Sequence, residues 1–314
     1  MKVLVSVIIP AYNSSKYISE SIDSVLKQSY KYLEVIVVDD GSTDNTLQIA
    51  EKFEEYGVKV YAQKNKGACA ARNYGYKLSK GEFIQFLDAD DVLAPDKIEK
   101  QLNELLKYDN YHNILIHCRW GRFKDGEEVY HWGPDVSIRT DLKPVDWLII
   151  NHMSITGCWL THRDLIEKGG GWNEDLKRNQ DGEFFSRVML QASKVLYSDE
   201  AKVYYRSGIT SSISATKNAA AALSGYKAVE LIESYIFSLE KSARTRLAVA
   251  NMYQSFVLEH YIAFPTLANK AEMKVKEMGG ATVKLQGGKV LTTMGRIMGW
   301  KNALEVKKVL LRLK

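Results

Sequence analysis

Over its first hundred residues the chain alternates apolar runs and helical spacing at a regular beat, and this alternation limits the fold more than any other feature. Val3 to Pro10 is a short apolar run, and Ser14 to Gln28 carries Ile18, Ile22, Val25 and Leu26 at helical spacing. Leu33 to Val38 reads as a second strand, Thr43 to Tyr56 as a helix with Asp44 in its first turn, and Val58 to Ala62 as a third strand. A helix opened by glycine then runs from Gly67 to Leu78, before a strand from Glu82 to Leu87. Strands alternating with helices of about ten to fifteen residues predict βαβ units, right-handed crossovers and a mostly parallel sheet. The expected class is α/β, with a Rossmann-like, mostly parallel central sheet flanked by helices.

After Pro95 a helix to about Leu106 leads to a strand at Ile114 to His117, and the beat stops. Residues 123–144 are polar and rich in turn formers, which predicts a long loop or a hairpin. Apolar character returns at Trp147 to Ile150 and at Ile155 to Leu160, followed by a Gly169-Gly-Gly turn and a helix from Asp181 to Leu190. Lys194 to Tyr197 and Val203 to Tyr205 read as two short strands. From about Lys217 onward only helical spacing is visible. Ser and Thr cluster at 207–217, so we expect one domain over 1–212, with a nucleotide half of about 1–110 and an acceptor half of about 111–212, and a helical C-terminal region over 213–314.

Composition excludes several classes. Cys69, Cys118 and Cys158 are odd in number and contain no C-x-x-C pair, so neither a disulfide framework nor a structural zinc site is indicated, and a reducing cytoplasm fits best. The apolar start is cut short by Pro10 and lacks a small-residue cleavage site, so it reads as a strand and not a leader. No run approaches the roughly 18 apolar residues that span a bilayer, so any membrane contact would be peripheral. Charge is concentrated at one end: from Lys284 to Lys314 eight Lys or Arg stand against one acid, Glu305. Leu291, Met294, Ile297, Met298, Leu304, Val309, Leu310 and Leu313 alternate with these cations. The tail is either a basic amphipathic helix on an anionic membrane face or a helix packed on its own protein, and Gly295 and Gly299 argue against one continuous helix. No nucleic-acid-binding module accompanies the charge.

The chemistry lies where strands end. Phe83-Ile-Gln-Phe-Leu-Asp88-Ala-Asp90-Asp91 is a buried-strand pattern that terminates in three carboxylates. In open α/β sheets ligands bind outside the carboxyl ends of strands, and clustered aspartates there suit a divalent cation on a phosphorylated substrate. Three other segments follow predicted strands: Ser6-Val-Ile-Ile-Pro-Ala-Tyr-Asn13, Val37-Val-Asp39-Asp40-Gly-Ser-Thr-Asp44, and Asn65-Lys-Gly-Ala-Cys-Ala-Ala-Arg-Asn73.

In this order and spacing the four segments resemble glycosyltransferase family 2, the inverting, nucleotide-sugar-dependent enzymes of GT-A fold, over about residues 3–207. The resemblance implies a nucleotide-sugar site formed by Pro10, Ala11, Tyr12, Asn13, Asp40, Lys66, Arg72, Asp88 and Ala89, with Asp40 towards the base and Asp88 towards the ribose. It implies Mn²⁺ or Mg²⁺ on Asp90 and Asp88, bridging the diphosphate. Asp39 is open between a structural and a site role, Asp44 suits a helix N-terminus, Asp91 caps the turn, and Lys66 is either a phosphate contact or a solvated cation. Gly171-Trp-Asn-Glu174-Asp-Leu-Lys-Arg-Asn-Gln180-Asp181 resembles the segment that carries the catalytic base, which puts Asp181 in that role. Gln180 departs from the acidic residue usual there, and Glu183 and Asp175 are weaker candidates. Tyr204-Tyr-Arg206 resembles a segment that returns over the diphosphate, with Arg206 as a phosphate clamp.

Five of the six tryptophans, Trp120, Trp132, Trp147, Trp159 and Trp172, lie between the aspartate cluster and Asp181. Part of this set is expected to line an acceptor pocket and at least half to be core. The implied activity is metal-dependent transfer of a hexosyl or N-acetylhexosaminyl group from a nucleotide diphosphate donor, UDP by default. The acceptor would be a saccharide or lipid-linked saccharide in surface polysaccharide or glycan assembly, and the place cytoplasmic, at the inner face of the cell membrane if the tail binds there. Two rivals stand beside it: a nucleotidyltransferase, whose glycine- and basic-rich turn after the first strand is missing, and a catalytically silent nucleotide-sugar-binding scaffold.

Overall fold

The computed structural model describes residues 2–133, 142–150, 154–209, 218–285 and 287–312. The expected boundary at 212/213, and residues 210–217 of the Ser and Thr stretch around it, lie outside these residues. The described chain forms two compact units, one reaching from the N-terminus past Arg206, the other made of four C-terminal helices with residues 149–150 and Lys177–Asn179.

In the first unit, strands β1 (Val5–Ala11), β2 (Leu33–Asp39), β3 (Lys59–Ala62) and β4 (Phe83–Phe86) are joined by helices α1 (Ile18–Leu26), α2 (Thr46–Glu51) and α3 (Ala68–Leu78). The sheet runs β3-β2-β1-β4, all parallel, and an antiparallel edge strand, β8 (Thr161–His162), completes it. Strand β1 is buried along its whole length, as is β4, which explains why their sequences are apolar except for one buried polar residue each, Ser6 and Gln85. Pro10 sits inside β1 without disturbing it. Ile8 accepts from Leu87 N–H, so alternate residues of β1 face β4, but β4 has ended before Pro10 and no donor is needed there. Helix α1 buries Ile18, Ile22 and Val25, one face at helical spacing. Gly75 lets α3 lie close on the sheet, since a Cβ there would meet Ile8 Cγ2 at 2.4 Å.

A second sheet has the order β5-β9-β6-β7, with β5 (Val92–Leu93), β6 (Ile114–Phe123), β7 (His131–Gly133) and β9 (Lys194–Arg206). Helix α4 (Lys97–Leu105) leads into β6, and α5 (Pro144–Ile150, of which residues 144–148 belong here), α6 (Arg163–Gly169) and α7 (Gln180–Met189) fill the rest of the unit. Both sheets share one hydrophobic core, from Val5 and Phe83 to Leu196 and Val203. The two short strands expected near residues 194–205 are one strand, β9, pairing in parallel with β6 through a register shift between Cys118 and Arg119. The expected helix from Thr43 to Tyr56 is shorter, α2 being followed by a 3₁₀ turn at Glu54–Tyr56. The polar segment after residue 123 begins as a hairpin, β6 turning back into β7.

The C-terminal unit contains α8 (Ala219–Leu239), α9 (Ala243–His260), α10 (Pro265–Glu277) and α11 (Lys289–Arg312). Asn218 caps α8, and Ser242 with Thr245 forms a capping box on α9. Tyr226, Ile236, Tyr253 and Val257 are buried between them. The Tyr253 hydroxyl donates to Glu233 at 2.5 Å.

Candidate active site

The strand order places a switch point between β1 and β4, where the chain leaves on opposite sides of the sheet. In such folds the crevice beyond the strand ends at this point is the ligand site. The four sequence segments meet here.

Beyond β2 the main chain turns at Asp39 and Asp40. Asp39 accepts from the N–H groups of Gly41 (3.1 Å) and Ser42 (3.0 Å), which gives it a structural part in the turn, and its Oδ1 is buried without a partner. Asp40 is 3% exposed. Its carboxylate accepts from Gln63 Nε2 (2.7 Å) and from the N–H groups of Lys66 (2.9 Å) and Gly67 (2.7 Å), so it anchors the loop that opens α3. Gly41 has φ +73°, and a Cβ there would meet Asn65 N at 2.8 Å. Asn13, also at positive φ, accepts from Thr43 N–H at 2.8 Å, and Asp44 joins Thr46 to the Ser15 N–H. The bonds from Thr46 and Ser15 hold the Asp44 carboxyl below its usual range, although burial works against this. Tyr12 and Lys66 present exposed side chains, while Pro10 and Ala11 are buried in the strand.

Arg72, on the first turns of α3, is the hub. It is 5% exposed, donates to Asp88 Oδ1 at 2.6 Å and to Gln180 Oε1 at 3.3 Å, and lies 4.3 Å from the centre of the Trp172 ring. Burial opposes its charge, but Asp88 and Asp181 outweigh burial and raise its pKa. Gln180, where the family usually has an acid, is therefore a neutral partner of this guanidinium. Asn73, one residue on, donates to Trp172 O (2.9 Å) and Glu174 Oε1 (2.8 Å) and accepts from Trp172 N–H (2.7 Å). Thus α3 ties the loop that follows β3 to the segment that carries Asp181.

Asp181 stands half-buried in the first turn of α7. A helix N-terminus favours the carboxylate and weakens a base. Here burial raises the pKa, and the negative charge of Asp88 adds to it, against the opposing Gly182 N–H and Arg72. The net shift is upward, which makes Asp181 a stronger base. Glu183 is instead paired with Arg187 (2.7 Å), whose guanidinium also donates to Gly169, Gly170 and Gly171 carbonyls and so shapes the glycine turn. Asp175 is exposed.

The aspartate turn is held from behind. Ser21 donates to the carbonyls of Asp88 (3.0 Å) and Asp91 (2.5 Å), and Asp91 Oδ1 accepts from Arg206 N–H (3.0 Å). Arg206 is itself buried. Its Nε donates to Asp90 O (2.9 Å), its other nitrogens reach Asp125 and Glu20, and its plane lies 4.5 Å from the Phe123 ring centre. It braces the aspartate turn against the end of β9. Four of the five clustered tryptophans are buried core, and Trp132 is half-buried. Trp132 lines a cleft of about 520 Å³ with Phe123, Tyr204, Glu20 and Glu127.

Among the described residues no three His, Cys, Asp or Glu side chains are grouped to cage a metal by themselves. The residues do fit a cation shared with a diphosphate. Burial, and then the charge of Asp88, push the Asp90 carboxyl up to about 6, and Asp91 Oδ2 is buried without a partner. A hard divalent ion needs only one or two carboxylates beside phosphate and water, and would relieve this repulsion.

A family model described as glycosyl transferase family 2 matches residues 6–170. The chain belongs to glycosyltransferase family 2. An uncharacterized family relative from Rickettsia typhi is 37% identical over 207 residues, 65% of this chain and 64% of that protein. An uncharacterized glycosyltransferase from Haemophilus influenzae is 34% identical over 212 residues, covering 80% of its length. The putative teichuronic acid biosynthesis glycosyltransferase TuaG of Bacillus subtilis is 43% identical over 109 residues, 34% of this chain and 43% of that protein. The chain thus spans less than two thirds of the Rickettsia protein it matches. Among solved structures, S. aureus TarS residues 1–349 in complex with UDP-GlcNAc superimposes with a TM-score of 0.73 at 23% identity, covering 99% of this chain and 92% of that one. The glycosyltransferase fold is of GT-A type.

Proposed function

We propose that this glycosyltransferase is an inverting enzyme that moves a hexosyl or N-acetylhexosaminyl group from a UDP-sugar to a hydroxyl of a saccharide or lipid-linked saccharide in surface polysaccharide assembly. The observation that carries the reading is the buried Arg72, which joins Asp88 of the donor segment to Gln180 beside Asp181. In this reading Asp40 and the Tyr12–Asn13 turn border the base, Asp88 orients the ribose, and Arg72 fixes Asp88. Lys66, exposed at the opening of α3, meets phosphate charge. Arg206 acts from behind the turn, setting the position of Asp90. Asp88 and Asp90 would hold Mn²⁺ or Mg²⁺, which when bound neutralises the charge developing on the departing diphosphate. Asp181 takes the acceptor hydroxyl proton while the hydroxyl oxygen attacks the anomeric carbon from the face opposite the diphosphate. The upward shift of its pKa supports that assignment.

TarS has been crystallised in complex with UDP-GlcNAc, and the TuaG relative is named for teichuronic acid biosynthesis; both support a UDP-sugar and a cell-surface polymer. A lipid-linked acceptor would place the enzyme peripherally at the cytoplasmic face of a membrane. The test is transfer and donor hydrolysis with a panel of UDP-sugars, with and without Mn²⁺. Asp181→Asn is expected to bind UDP normally and lose at least about a hundredfold in transfer. Retention of full transfer by that variant would overturn the base assignment. Absence of turnover with every donor would favour a silent nucleotide-sugar-binding protein.

A further inference from the structure

We infer that helix α11 is a docking face for an anionic lipid bilayer, lying in the plane of the headgroups. This deepens the membrane-side placement proposed above, and it rests on surface chemistry independent of the transfer reaction.

Helix α11 breaks at Gly299, whose φ of 82° and ψ of 155° are not helical. Beyond the break the helix is anchored: Ala303 and Leu304 are buried, the Trp300 ring meets Tyr261 at 5.5 Å, and Lys301 pairs with Glu272 of α10 at 2.7 Å. Before the break part of its apolar face is uncovered, while Leu291 and Met294 are half-buried. Val290 is 75% and Ile297 78% exposed, and being seven residues apart they lie on one face, with Met294 between them. Lys289 and Arg296, also seven apart and exposed, form the adjoining strip. After the anchor, Val309 and Leu310 are again more than half exposed, beside Lys307.

A helix of a water-soluble unit normally buries its apolar stripe. An uncovered stripe bordered by cations is instead the pattern of a helix that sinks its apolar side into the acyl boundary and sets its charges among anionic headgroups. The occupant follows from charge. Residues 284–314 carry a net +7 in a chain of net +5, so two copies meeting through this same face would set like charge against like. No described helix is long and apolar enough to cross a membrane, which leaves surface binding.

The test is co-sedimentation of the full chain with vesicles of phosphatidylcholine alone or mixed with phosphatidylglycerol. Binding to the mixed vesicles only is expected, weakening as NaCl is added. Each cation near such a surface contributes about fivefold to partitioning, so Lys289→Glu with Arg296→Glu should lower it more than tenfold. Val290→Asp with Ile297→Asp should abolish it. All four positions are exposed, so both double variants should keep the wild-type circular dichroism spectrum. No binding to mixed vesicles at low salt, or equal binding to neutral ones, overturns the proposal. So does a lipid-free dimer that Ile297→Asp dissolves, which would assign the face to a second copy.

Discussion

Asp90→Asn is expected to make the metal-free protein more stable while it disables transfer. Burial and the neighbouring Asp88 charge raise the Asp90 carboxyl from 3.8 to about 6, so the ionised form is disfavoured in the folded state. A gap of this size corresponds to about 3 kcal/mol of lost stability once the group is fully ionised. The sign follows from the direction of the shift. The loss is complete at pH 8, shrinks as pH falls through 6, and is gone below the ordinary carboxylate value. Asparagine preserves the size of the side chain and the Asp90 carbonyl that Arg206 holds, and removes only the charge. The variant should therefore gain about 3 kcal/mol over the parent in chelator at pH 8, and almost nothing at pH 4. Urea unfolding can be followed by tryptophan fluorescence, since Trp120, Trp132, Trp147, Trp159 and Trp172 all report on the first unit and only Trp300 on the second. With UDP and Mn²⁺ the order should reverse, the parent gaining stability by ligand binding and the variant little. A variant no more stable than the parent at pH 8, or equally advantaged at both pH values, would refute the electrostatic account.

Three further outcomes are expected. Gly41→Ala puts a Cβ on a backbone of positive φ and within 2.8 Å of Asn65 N, so it should destabilise by more than about 2 kcal/mol and weaken UDP binding, read by urea unfolding and calorimetry. Arg72→Met leaves Asp88 without its ion pair and Trp172 without its stacked cation; because Asp88 is about a third exposed, the loss should be about 1–3 kcal/mol by thermal unfolding, with a raised donor KM. The raised pKa of Asp181 means that kcat/KM should fall with decreasing pH along a limb centred above the ordinary carboxylate value of 3.8, and a limb at or below that value would count against Asp181 as the base.

The first sheet was legible because β1 and β4 are buried on both faces, so Val5–Ala11 and Phe83–Phe86 appear as apolar runs broken only by Ser6 and Gln85. The second sheet was harder. Strand β9 carries Asp199 and Glu200 at its register shift, and those charges split one strand into two apparent ones. Strand β5, only two residues long, has no periodicity to read. At the site, residue type and position announced the aspartates, but their partners lie far away in sequence. The Arg72 contact with Gln180 spans 108 residues and the Asn73 contact with Trp172 spans 99, and no local pattern encodes either. The engagement of Asp40 with the Lys66 and Gly67 main chain, and the brace made by Ser21, Glu20, Asp125 and Arg206, were hidden for the same reason.

The bonds from Asn73 to Trp172 and Glu174 have a consequence for how enzymes of this type can diversify. They bypass the stretch between β6 and the glycine turn, where acceptor-specific residues are expected, and fasten the segment leading into α7, whose Asp181 is the proposed base, to α3 directly. Under the proposed mechanism, the part of that stretch outside β8 and the buried Ile155, Cys158 and Leu160 can therefore change in length or chemistry without altering the relation of proton acceptor to leaving group. New acceptors would be explored on one part of the chain while the reaction geometry is inherited unchanged by another.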